Sequence, residues 1–94
     1  MRNKKLLTST STKAERRFAE RLKTARIPFR AKVKIGGREI DFIIGKYAIE
    51  IDGHQQATAK NAMLLEQGYI PVHISNDSVA TVNIHFYGKS SSRH

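Results

Sequence analysis

The chain has no cysteine and no tryptophan, and only two prolines. Without cysteine it can form neither a disulfide framework nor a thiolate metal site such as a zinc finger. No stretch approaches the ~20 apolar residues of a membrane-spanning helix. Met1-Arg2-Asn3-Lys4-Lys5 carries the charges of a signal peptide, but only Leu6 and Leu7 follow, so the apolar core of one is missing. These absences lead to the expectation of a soluble, cytoplasmic protein that does not enter a membrane. Acidic charge is also scarce. Eight Asp and Glu stand against 17 Lys and Arg, a net charge of +9 over 94 residues. The usual partner of such a surface is nucleic acid. A basic membrane-surface protein would instead need an amphipathic helix with a broad apolar face. The length fits one domain with a small core, which a homodimer would extend.

The few acids stand in unusual places. Residues 38 to 56 hold two short apolar runs around Gly45-Lys46, which predicts two strands joined by a tight hairpin. Asp41 lies between Ile40 and Phe42, Glu50 between Ile49 and Ile51, and Asp52 before Gly53. Ionised acids enter apolar strands rarely, unless paired or bound to a metal. Strand alternation also allows a plainer reading, in which Glu50 and Asp52 share a solvent-facing side.

The rest of the chain supplies a frame for this hairpin. Residues 1–10 read as a basic, flexible arm. Thr12-Lys13-Ala14-Glu15 is a capping-box pattern that opens a helix to about residue 26, with Ala14, Phe18, Leu22 and Ala25 on one stripe. Glu15 either closes that box or is a further acid aimed at the site. Phe29, Ala31, Val33 and Ile35 alternate with Arg30, Lys32 and Lys34, which predicts a half-buried strand with a cationic outer face. Gly36-Gly37 makes the first hairpin turn. Residues 54–67 predict a helix ending at Gly68. Tyr69 to Ser75 predicts a strand, placed at an edge or bulge by Pro71. For the last segment, Asn76-Asp77-Ser78 predicts a helix over 78–86, while Val82, Ile84 and Phe86 keep strand period. Residues 88–94 read as a polar, flexible tail, leaving a single domain over 11–87. The expected fold is α/β (α+β): helix, three-strand meander, helix, strand, in a mixed central sheet flanked by helices. A helix joining the third and fourth strands makes them candidates for parallel neighbours.

Carboxylates on adjacent hairpin strands suit a hard cation. Mg²⁺ takes one or two carboxylates and keeps several waters. Asp41 and Glu50 are the expected pair, with the carbonyl of Ile51 as a third oxygen. A cationic surface including Arg16, Arg17, Lys32, Lys34 and Lys60 would draw in the phosphate backbone. Metal-assisted phosphodiester hydrolysis needs this combination.

The same residues resemble the PD-(D/E)XK nuclease superfamily: Asp41, then nine residues on Glu50-Ile51-Asp52. The nearer likeness is to the very-short-patch-repair-like endonucleases and the EDxHD homing endonucleases, through Ile40-Asp41-Phe42, Ala48-Ile49-Glu50-Ile51-Asp52-Gly53 and a nearby His. Lys60, Leu64, Gly68 and Thr12-x-x-Glu15 add to it. The resemblance implies a restriction-endonuclease-like core and Mg²⁺-dependent endonuclease activity on DNA rather than RNA, with Mn²⁺ as a substitute. It implies Asp41 and Glu50 as metal ligands and Glu15 as an accessory acid. Asp52 stands where the superfamily's lysine is usual, and His54 and Gln56 are the candidates for that lysine's work. The helix acid of the family is missing, since no acid follows until Glu66. An alternative is a nuclease-like module that binds nucleic acid without cutting it. His73 and His85 read as sheet or surface residues.

Overall fold

The computed structural model describes residues 12–51 and 58–92, with side chains as far as Lys89. The expected arm over 1–10 lies outside the described residues. The elements are α1 (Lys13–Thr24), β1 (Arg30–Ile35), β2 (Arg38–Ile44), β3 (Tyr47–Ile51), α2 (Thr58–Glu66), β4 (Ile70–Ile74), a 3₁₀ turn (Asn76–Ser78) and α3 (Ile84–Ser92).

α1 begins where the capping box places it. The Glu15 amide donates to Thr12 Oγ1 at 3.1 Å, and the Thr12 amide donates back to Glu15 Oε1 at 3.3 Å. It ends in a Schellman pattern. The Arg26 amide reaches Lys23 O, the Ile27 amide reaches Leu22 O, and Arg26 adopts φ +60°.

The sheet runs β1-β2-β3-β4, antiparallel through the meander and parallel between β3 and β4. Gly36 and Gly37, both at positive φ, turn β1 into β2. Pro71 sits on β4, an edge strand, where its missing N–H leaves no ladder partner wanting. Two cores lie on opposite faces. One gathers Phe18, Leu22, Phe42, Ile44, Ile49, Ile51, Ile74 and Ile84 under α1 and α3. The other gathers Ile35, Ile40, Ile43, Ala48 and Leu64 under α2. The layers are therefore helix, sheet, helix.

Two expectations need correction. The strand Phe29 to Ile35 does not keep one apolar face: Phe29 and Ala31 pack in the first core, Val33 and Ile35 in the second. The face changes at Lys32, whose φ is +55°. β2 changes face opposite it, with Ile40 in the second core and Phe42 in the first. The last helix spans Ile84–Ser92 rather than 78–86, and runs through much of the expected tail. Arg21 Nη1 donates to the carbonyls of Val79 and Val82, both at 2.8 Å. A helix continuing from residue 78 would give those carbonyls to its own amides. Asn83 then starts α3, its Oδ1 accepting from the His85 amide at 3.1 Å.

Candidate active site

The site forms where the β2–β3 ladder opens. The two strands pair Ile44 with Tyr47, Ile43 with Ala48 and Phe42 with Ile49. One further step in this register sets Asp41 opposite Glu50. There the backbone pairing stops, and the Ile51 amide donates to Asp41 Oδ2 at 2.9 Å. A carboxylate has taken the donor that a continued ladder would give to a carbonyl. β3 meanwhile continues its pairing with β4 through Glu50 with His73 and Ile51 with Ile74.

Three further charged groups close on this opening. Glu15 arrives from the first turn of α1 and is buried. Lys32 Nζ lies 3.0 Å from Glu15 Oε1 and 3.8 Å from Asp41 Oδ1. The second distance is an ion pair without a direct hydrogen bond. Lys60, from α2, brings Nζ to 2.9 Å from Glu50 Oε2. That oxygen is buried and accepts no aligned hydrogen bond. The distance is close enough for ionic attraction, so the contact is an ion pair without an aligned hydrogen bond. Next to Lys60, Asn61 Oδ1 stands 3.0 Å from His73 Nε2.

The electrostatics follow from this crowding. Burial, aided by the charges of Glu50 and Glu15, pushes the Asp41 carboxyl from 3.8 up to about 6, against the pull of the Ile51 amide and Lys32. Burial alone would lower the Lys32 ammonium. Its hydrogen bond to Glu15 and the charges of Glu15, Asp41 and Glu39 outweigh that and hold it above its ordinary value. Lys32 also carries a strand-interior φ of +55° on a residue with a Cβ, a conformation that costs about 1–2 kcal/mol.

Of the residues singled out from sequence, the fold brings together Glu15, Asp41, Glu50, Ile51, Lys32 and Lys60. Asp52, His54 and Gln56 lie outside the described residues. Lys32 was expected on an outer cationic face and instead turns to the acids, because its backbone reversal swings it out of the alternation. Lys60 likewise meets Glu50. Arg16, Arg17 and Lys34 are exposed. Among the described residues, no three His, Cys, Asp or Glu side chains converge as a metal cluster. Glu15 meets Lys32 and completes its capping box. His73, expected as a sheet or surface residue, lies exposed on β4. Val72 and Ile74 face the first core, which leaves His73 to the other side, as Ile49 and Ile51 leave Glu50.

The chain matches no protein-family model and no curated protein. Among solved structures it is similar to the Homing Endonuclease I-Bth0305I Catalytic Domain. The two are 27% identical over 84% of this chain and 89% of that one, with a TM-score of 0.62. The core is thus α/β and restriction-endonuclease-like, with a mixed sheet between helices and a PD-(D/E)XK-like relationship to a homing-endonuclease structure. No described helix is long and apolar enough to cross a membrane.

Proposed function

We propose that this chain is a metal-dependent endonuclease that hydrolyses phosphodiester bonds in DNA, using Mg²⁺, with Mn²⁺ able to replace it. One observation carries this reading: where the β2–β3 ladder opens, Asp41 takes the Ile51 amide and feels the charge of neighbouring Glu50, inside a fold shared with a homing-endonuclease catalytic domain.

The residues fit a divalent cation. Glu50 Oε2 is buried without an aligned donor, and Asp41 is raised by burial and by neighbouring negative charge. A cation relieves both, and two carboxylates are what Mg²⁺ asks of a protein. Asp41, Glu50 and the Ile51 carbonyl would hold it, and when bound it would polarise the phosphate and lower the pKa of water. The chain's own groups do the rest. Glu15 fixes Lys32, whose ammonium stands beside Asp41 where it can meet an incoming phosphate oxygen. Arg16, Arg17 and Lys34 offer exposed cations for the backbone on either side. Asp52, His54 and Gln56 remain the candidates from the segment after β3.

Supercoiled plasmid tests this reading. Incubated with Mg²⁺ or Mn²⁺, the wild type is expected to nick or linearise it, and Asp41→Ala and Glu50→Ala to leave it intact. A second reading, a nuclease-like module that binds without cutting, draws on the pairing of both acids with lysines. Tight plasmid binding with no cleavage in either metal would select it.

A further inference from the structure

We propose that His73 is a catalytic residue of this chain, its imidazole taking the proton from the water that attacks the phosphate. The proposal rests on the nuclease reading and adds to it a residue outside the acid motif.

Position is the first argument. The parallel ladder sets His73 beside Glu50, and register partners on neighbouring strands project to the same side of the sheet, with strands ~4.8 Å apart. Glu50 and His73 both meet α2 on that side. Lys60 reaches Glu50 at 2.9 Å, and its neighbour Asn61 reaches His73 at 3.0 Å. Adjacent residues of one helix thus fix the side chains of two adjacent strands, one anionic and one a proton carrier.

Orientation is the second. Asn61 Oδ1 is an amide oxygen and can only accept, so His73 Nε2 carries the proton in this contact. In the neutral ring Nδ1 then keeps its lone pair. An imidazole with one nitrogen anchored and the other a proton acceptor is set up as a general base. His73 is exposed on the outer strand, so substrate can reach it. In the step, a water O–H bond breaks and its proton passes to Nδ1. The water oxygen bonds to phosphorus, one ester P–O bond breaks, and the leaving alkoxide takes a proton from solvent.

The competing account is that His73 and Asn61 merely tie α2 to the edge strand. His73→Gln separates the two, because a glutamine amide can still donate to Asn61 but offers no basic nitrogen. If His73 is catalytic, both His73→Gln and His73→Ala nick plasmid about 100-fold more slowly or worse. Their melting temperature and plasmid affinity stay at the wild-type level, and added imidazole restores part of the His73→Ala rate. In Ca²⁺, wild-type His73 ring resonances shift when a short duplex is added. Wild-type nicking by His73→Gln overturns the proposal and leaves the nuclease reading standing. So does a His73→Ala loss that follows its melting temperature and resists imidazole, or a ring signal unmoved by DNA. A wild type that cuts in neither Mg²⁺ nor Mn²⁺ overturns both.

Discussion

Asp41 is largely enclosed, yet the proposed metal role requires it to ionise. Its folded pKa, about 6, lies above the ordinary 3.8. The folded state therefore binds the Asp41 proton more tightly than the unfolded chain does. Below about pH 4 both states are protonated and the group costs nothing. From there to about pH 6 stability falls as pH rises, and above that the cost is complete. Asp41→Asn keeps an acceptor for the Ile51 amide and removes the charge. It is expected to stabilise the metal-free protein at pH 7 by about 1–2 kcal/mol, a two-unit shift discounted for the solvent that reaches the carboxylate. Denaturant unfolding at pH 7 and pH 4 checks this. The gain should vanish at pH 4, and a variant weaker than wild type at pH 7 would contradict the burial argument. A residue that destabilises its own fold in this way is expected at a functional site.

At the scale of elements, local chemistry was legible and long-range chemistry was not. Thr12 and Glu15 announce α1 because both halves of the capping box lie within four residues. Gly36-Gly37 announces the first hairpin for the same reason, and Pro71 announces an edge. The Asp41–Glu50 juxtaposition was legible because a two-residue turn fixes register. The Lys32 reversal was not. It pairs a lysine with an acid 17 residues before it and another nine residues after it, and alternation carries no trace of either. The start of α3 was misplaced because Asn76 and Asn83 are equally good caps in sequence, and Arg21, far away on α1, decides between them. The packing of α3 gives a sharp test. A Cβ on Gly88 would lie 2.9 Å from Ile27 Cδ1 and Cγ1. Gly88→Ala gains about 1 kcal/mol of helix propensity, but overpacking costs about 1–3 kcal/mol. The clash should win, with net destabilisation of about 1 kcal/mol read from the urea midpoint. A stabilised variant would mean that α3 packs less closely on Ile27.

At the scale of the molecule, an excess of positive charge accompanies a small acidic opening. The net charge of +9 draws in a polyanion, and the lysines paired with Glu15, Asp41 and Glu50 temper the acids that would repel it. Duplex binding should weaken steeply with salt. For roughly four to six phosphates contacted, the slope of log K against log salt concentration is about −4 to −5. Fluorescence anisotropy across a salt series measures it, and a slope near zero would remove nucleic acid as the partner. In the proposed function, cutting, as opposed to binding, depends on Asp41 and Glu50 sharing one divalent cation. Calorimetric titration of Mn²⁺ into the free protein tests that sharing most directly. Wild type should bind one ion per chain, and Asp41→Ala and Glu50→Ala should each abolish binding. Equal binding by wild type and both variants would contradict it, as would no binding by the wild type.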